Sequence, residues 1–428
     1  MDLLHFNHWW RDNFIRKDLT GVPRENLREL IDFFPKRQII LLKGLRRVGK
    51  TTLLYQLIEY LLKGGTNPFH ILYFSFDVEV AELDNILSEY QKKVLHKSFD
   101  SDLDTKYYIF LDEVHKLKNW ANQIKVFYDL YPNLKFIISG SASINIDKQA
   151  KESLAGRLYE FYIQPLSFPE YLKFKNIQVD YEKIDLYRSI IEPQIFSYIQ
   201  NSGFPEMVNE ENKVVLSKYF RESILERIIY QDLPQSFIIK EPALLFRLLT
   251  AIASRPGILL QYESLSNEFK RDKRTISQYC EYLKYVFLIK PLYLFSRNML
   301  VSQRRLKKFY LTVTAFTLSL IEPHIQLDEG LIIEHLFVSR LDAKFFYRST
   351  TKEEVDIIQT QPDILPVEIK YKSDISMKDL RGMKSFLNKY GCKQGIVISR
   401  DLEKDFIFEN AKVKIIPYWK MLLGFYKS

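Results

Sequence analysis

Residues 37–62 read RQIILLKGLRRVGKTTLLYQLIEYLL, an apolar run, a basic loop bracketed by two glycines, then leucines returning at helical spacing. Gly44, four further residues and Gly49-Lys50-Thr51 fit the pattern G-x-x-x-x-G-K-[ST]. In such a loop the backbone N–H groups and the helix N-terminus surround the phosphates of a nucleotide. The lysine reaches the β- and γ-phosphates and the hydroxyl ligates Mg2+. A strand before the loop and a helix after it are the context the pattern requires. Gly44, Gly49, Lys50, Thr51 and Thr52 are therefore expected to bind ATP, with Mg2+ on Thr51.

Outward from the loop, KYYIFLDEVHK (106–116) is a second apolar run that ends in two acids. A buried strand delivering carboxylates to the phosphate site has this form: Asp112 holds the Mg2+ shell, and Glu113 orients or activates the attacking water. His115 receives no role. NLKFIISGSAS (133–143) is a third strand whose polar end places Ser139 as a sensor of the γ-phosphate. Arg157 follows a small-residue stretch in SLAGRLYEFYIQPLSFPEYL (153–172). A cation there would stabilise charge in phosphoryl transfer, within one chain or across the interface of a homo-oligomer. Strands near 38–43, 70–76, 107–111 and 135–139, with helical patterns between them, predict a parallel sheet covered on both faces.

The stretches GLRRVGKTT, FLDEVHK, ISGSAS and LAGR followed by PLSFPEYL resemble the prokaryotic AAA-type ATPases that carry a C-terminal domain of unknown function similar to the PD-(D/E)xK nucleases. The resemblance runs over nearly the whole chain, and NSGFPEMV (201–208) is similar to that family's helical segment after the ATPase core. It implies an α/β fold, a P-loop NTPase sheet followed by a small α/β nuclease-like domain.

At 428 residues the chain is too long for one ordinary core. Four segments are expected: an ATPase core over 1–165, a helical lid or connector over 166–240, a winged-helix segment over 241–312 and the nuclease-like domain over 313–428. Cys280 and Cys392 are far apart and lack partners at metal-ligand spacing, which fits a reducing cytoplasm. MDLLHFNHWWRDNF lacks the form of a signal peptide, and no run of about 18 apolar residues suggests a membrane. The formal charge of +9 permits attraction to a polyanion such as DNA.

The connector 213–237 is amphipathic and helical, with Pro234 near its end. Beyond it, 243–295 reads as short helices, a tight basic turn, a longer helix and a strand, the succession of a winged helix. Its second helix, beginning near Arg274, would face the major groove, with Lys270, Arg271, Lys273 and Arg274 toward phosphates or base edges. Arg304, Arg305, Lys307 and Lys308 would form a basic wing.

EEVDIIQTQPDILPVEIKYK (353–372) reads as a hairpin turning at Pro362. Symmetric pairing sets Asp356 across from Glu368 and Glu354 across from Lys370. Opposed like charges about 5 Å apart are costly unless something positive lies between them, and a divalent cation is the plainest candidate. Glu334, in the apolar helix EGLIIEHLFVSRL, adds a further acid. Glu334, Asp356 and the pair Glu368 and Lys370 match the acid helix, acid strand and E-x-K strand of the PD-(D/E)xK nucleases. The match implies Mg2+ on the three acids, with Lys370 supporting the nucleophile. The tail after 377 supplies a helix, two more strands and the exposed cations Lys378, Arg381 and Lys384. Three functions are compatible: an ATP-hydrolysing switch or motor that acts on or senses DNA, an ATP-gated metal-dependent endonuclease, and a signalling or scaffold ATPase whose nuclease-like domain is inactive.

Overall fold

The computed structural model describes residues 2–79, 81–141, 152–298, 307–322, 325–408 and 411–425. The chain forms two units. The first comprises residues 1–166 together with the short segment Phe204–Glu206, and the second takes the rest.

In the first unit, β1 (Ile39–Lys43), β2 (Ile71–Ser75), β3 (Tyr107–Asp112), β4 (Leu134–Gly140) and β5 (Leu158–Tyr162) form a sheet in the order β2-β3-β4-β1-β5. All four pairings are parallel. Every residue of β2 and of β4 is buried, as strands covered on both faces require. This is the expected P-loop sheet, with β5 added from the segment read only for Arg157. The phosphate loop leaves the C-terminal end of β1 and enters the helix Lys50–Lys63. Asp112 closes β3 at the same edge, where ligands of open α/β sheets bind.

The opening residues cover the outer edge of this sheet. Asn7 is fully buried and pairs with Tyr73 of β2 like a fragment of strand: its Nδ2 donates to the Tyr73 carbonyl at 2.9 Å, and the Tyr73 N–H donates to its Oδ1 at 2.7 Å. The indole of Trp10 donates to Ile71 O at 2.9 Å. Edge groups that would otherwise offer a template to another chain are thereby satisfied.

The second unit is built on a mixed sheet of nine strands: β6 (Ile258–Leu260), β7 (Ile289–Leu294), β8 (Lys307–Leu311), β9 (Phe345–Arg348), β10 (Glu354–Gln359), β11 (Leu365–Lys370), β12 (Gln394–Ser399), β13 (Lys404–Phe408) and β14 (Ala411–Pro417). Their order is β13-β14-β12-β11-β10-β9-β7-β8-β6. The expected boundary at 312 separates strands that share this sheet: β7 pairs with β8 on one side and, through Tyr293 and Leu294, with β9 on the other. Along 242–311 the elements run helix (Pro242–Ser254), β6, helix (Tyr262–Phe269), helix (Lys273–Tyr285), β7, β8. Among the described residues no helix is long and apolar enough to cross a membrane.

The hairpin register follows the expected symmetry about Pro362, with Ile357 opposite Val367, Ile358 opposite Pro366 and Gln359 opposite Leu365. On its other side β10 pairs Val355 with Tyr347 and Ile358 with Phe345, so Asp356 and Ile357 together face the single residue Phe346. Such a bulge breaks the ordinary alternation after Asp356: Glu354 and Asp356 share the face that meets Lys308, whereas Val355 and Ile358, three apart, enter the same apolar cluster.

The helix Arg381–Tyr390 packs tightly on β10 at Gly382, where an added Cβ would lie 2.0 Å from the carbonyl oxygen of Glu354. Backbone cannot give way as a flexible side chain would. Gly382→Ala is therefore expected to destabilise the second unit by roughly 3 kcal/mol, the upper range for overpacking. The midpoint of denaturant unfolding checks this, and an unchanged midpoint would refute the close approach.

Candidate functional site

At the C-terminal edge of the first sheet the phosphate-site residues converge. Gly44 has no room for a side chain, since a Cβ would meet Ile163 O at 2.4 Å. Gly49 has φ 92°, a conformation that favours glycine. The loop is braced from below by Arg24, a residue absent from the sequence expectations: its guanidinium donates to Val48 O at 2.7 Å and to Gln164 O at 2.9 Å. Lys50 Nζ is folded back within the loop onto Leu45 O at 2.9 Å. Thr52 follows Thr51 in the first turn of the helix.

Asp112 is 3% exposed and accepts three hydrogen bonds: from Thr51 Oγ1 at 2.7 Å, from Tyr73 Oη at 3.0 Å and from Ser139 Oγ. Burial pushes its pKa up and the neighbouring charge of Glu113 adds to this, against the bonds from Ser139 and Thr51 and the field of Lys50. Ser139 also accepts from the Glu113 N–H at 3.3 Å, so it links the two acids. Thr51 and Asp112 thus stand together as an oxygen donor pair that fits Mg2+ bound with a nucleotide. Bound there, the ion would supply Lewis-acid stabilisation to phosphoryl oxygens.

Glu113 adopts a left-handed conformation, φ 54°, at the turn after β3. Its Oε2 lies 3.1 Å from His115 Nδ1, and His115 Nε2 lies 3.3 Å from Ser141 Oγ. Burial would raise the Glu113 carboxyl, but His115, Lys50 and Arg46 outweigh it and hold the pKa down at about 2. Glu113 is therefore a carboxylate at neutral pH, oriented by a histidine to which the sequence had assigned nothing. Its position two residues after Glu113 was the available signal.

Arg157 lies elsewhere. Its carbonyl accepts from the N–H of Ile39 at the start of β1, whereas the phosphate loop follows the end of that strand. Five residues of strand separate these two edges, about 16 Å. The guanidinium holds Asp129 through paired bonds of 3.1 and 3.2 Å. Of the two expected modes of action for Arg157, within one chain or across the interface of a homo-oligomer, this position at the opposite edge bears on the first.

The second unit assembles the four C-terminal residues around an unexpected fifth. Lys308 of β8, 5% exposed, places its ammonium 3.2 Å from Glu334 Oε1 and 3.8 Å from Asp356 Oδ1, and it bonds Glu354 directly. Tyr310 Oη donates to the same Glu334 oxygen. Burial alone would lower the pKa of Lys308, but Glu334, Tyr310, Asp356 and Glu354 hold it well above the usual lysine range. The expected Glu354 to Lys370 pair does not form: Glu354 holds Lys308 and lies 3.6 Å from Arg348, and Lys370 holds Glu368 at 2.6 Å. Asp356 accepts the N–H of Ile369 at 2.8 Å, so its carboxylate bridges the hairpin. Glu368 is 2% exposed, and its second oxygen, Oε2, is buried without a hydrogen-bond partner. Burial raises its pKa to about 7, with the charge of Asp356 adding to this and Lys370 opposing it.

As they stand these acids are partners of lysines and do not fit a divalent ion. Among the described residues no group of three or more His, Cys, Asp or Glu is disposed to hold a metal. Lys308, expected on a basic wing, is not on the surface, and Arg304 and Arg305 lie outside the described residues. In the basic turn Lys270 and Arg274 are exposed, whereas Arg271 is paired with Glu241 at 2.8 Å and Lys273 with Glu263.

Comparison with known proteins matches three stretches of the chain. Residues 36–172 match the family model described as AAA domain, residues 192–321 a domain of unknown function (DUF8612), and residues 326–421 a domain of unknown function (DUF4143). The first unit is accordingly a P-loop ATPase-like domain of AAA type. The uncharacterized protein MJ1637 of Methanocaldococcus jannaschii is 29% identical over 62% of this chain, a match spanning 60% of the relative's length. The uncharacterized protein MJ1544 of the same organism is 27% identical over 89% of this chain and 82% of its own. Among solved structures, the Walker-type ATPase PABY2304 of Pyrococcus abyssi covers 72% of this chain and 97% of its own, at 16% identity and a TM-score of 0.40.

Proposed function

We propose that the chain is an ATP-hydrolysing switch that acts on or senses duplex DNA. The observation that carries the reading is Glu113, held as a carboxylate by His115 one residue beyond the Thr51 and Asp112 donor pair. A water placed by Glu113 would attack the γ-phosphate while Lys50 and the loop N–H groups hold the phosphates. Switching is supported by Phe204–Glu206, which belong to the first unit although the residues on either side belong to the second. Glu206 pairs with Arg47 of the phosphate loop. Rearrangement of that loop around a nucleotide would pull on both ends of this segment.

The DNA half of the reading is supported by the order helix, strand, helix, helix, strand, strand over 242–311, which is that of a winged helix, and by the net charge of +9. Lys270 and Arg274 would be its phosphate contacts. The test is the rate of ATP hydrolysis with and without duplex DNA, beside DNA affinity measured over a range of salt. Lys50→Ala is expected to abolish hydrolysis, and Arg274→Ala to reduce the salt slope by about one phosphate contact. Hydrolysis indifferent to DNA, with no salt-sensitive binding, would leave the ATPase and remove its DNA partner. The scaffold reading, an ATPase that signals to a protein, is favoured over the endonuclease by the lysine-filled acid cluster.

A further inference from the structure

Acids opposed across a hairpin need a cation between them, and here the chain itself supplies one. We propose that Lys308 is a built-in replacement for a divalent ion, so that Glu334, Glu354 and Asp356 take no metal and the second unit works without one.

Three observations point to this. The Lys308 ammonium lies among the oxygens an ion would need, bonded to Glu354, 3.2 Å from Glu334 and 3.8 Å from Asp356. Mg2+ requires such oxygens at about 2.0–2.1 Å in an octahedral shell, and a fixed positive charge in the same volume opposes its entry. The lysine is also anchored. Its backbone lies in β8 between Leu259 of β6 and Leu292 of β7, and the ring of Phe346 lies 5.5 Å from its ammonium. Finally, the remaining acid of the set is engaged by a second lysine, Lys370, at 2.6 Å from Glu368. All four acids therefore have a lysine partner.

The probe is manganese alone, titrated into nucleotide-free full-length protein and followed by the electron paramagnetic resonance signal of the free ion. Wild type and Asp356→Asn are expected to bind the same number of ions. Lys308→Ala is expected to gain one site, with an affinity about tenfold or more above any in the wild type. The double variant Lys308→Ala with Asp356→Asn should lose it again. One additional ion in the wild type that Asp356→Asn removes would overturn the proposal. So would a folded Lys308→Ala protein that gains none. If Lys308→Ala does not fold, the comparison of wild type with Asp356→Asn decides. These readouts are independent of ATP hydrolysis and of DNA, so they stand or fall apart from the proposed switch.

Discussion

Replacing Glu113 by glutamine is expected to lower ATP hydrolysis by about a hundredfold or more while nucleotide binding survives. Glutamine keeps the shape of the side chain and an oxygen for His115, but it removes the negative charge that would draw a proton from the attacking water. Positioned general bases contribute roughly 10²–10⁴ in rate. Lys50 and the loop glycines, the residues that would meet the phosphates, are untouched. Asp112, whose pKa is raised by the charge of Glu113 as well as by burial, should become a slightly stronger acid, which favours rather than weakens Mg2+ on the Thr51 pair. The protein should accumulate in a nucleotide-loaded state. Single-turnover hydrolysis beside equilibrium binding of a fluorescent ATP analogue checks both halves. Parallel loss of binding and hydrolysis would show that Glu113 serves the fold of the loop instead.

The second large effect is acid lability of the nine-stranded unit through His335. The ring is buried on the helix Glu329–Arg340, with Nε2 2.6 Å from Leu311 O and Nδ1 3.3 Å from Thr317 Oγ1. Nε2 therefore carries the proton, and neutral imidazole satisfies both contacts. Burial lowers the pKa from 6.5 to about 4, aided by Lys290 and resisted by the Leu311 carbonyl and by Glu334. The folded pKa lies below the unfolded one, so between these two values the unfolded chain binds the extra proton. Stability is full above pH 6.5 and declines as pH falls toward 4, by roughly 3 kcal/mol from this group. Denaturant unfolding at neutral pH and near pH 4.5 should show a steep loss in wild type and a shallower one in His335→Gln. Parallel pH profiles would assign the acid lability to other groups.

The phosphate site was legible because its chemistry is local. A glycine-bounded loop between strand and helix, and acids at the ends of apolar strands, specify their neighbours within a few residues, and Asp112, Glu113 and Ser139 converge where the strand ends placed them. The hairpin register was legible for the same reason, since a turn at Pro362 fixes which residues face each other. Lys308 was not, because its partners come from a helix and a strand that begin 21 and 46 residues later in the chain. A lysine in a strand ordinarily reads as surface. The signal lay in its followers: Phe309, Tyr310 and Leu311 are all buried, as in a strand covered on both faces, and a cation in such a strand must find partners. Lys135, 1% exposed in β4, obeys the same rule, donating to the carbonyls of Phe33 at 3.0 Å and Lys36 at 2.7 Å. The continuity of one sheet across the expected boundary at 312 was hidden for another reason. Parallel pairing of Tyr293–Leu294 with Phe345–Phe346 leaves no local mark on either strand.

The segment Phe204–Glu206 bears on how such a protein can be taken apart or exchanged. Because it belongs with residues 1–166, the chain passes between its units three times, after 166, after 203 and after 206. A piece cut at the first passage would lack Phe204, which is fully buried, and the acid paired with Arg47. A foreign second half joined to the first unit at one junction would have to supply an acid for Arg47 of the phosphate loop. An exchange of second halves is therefore expected to keep a folded first unit only where Phe204–Glu206 are retained.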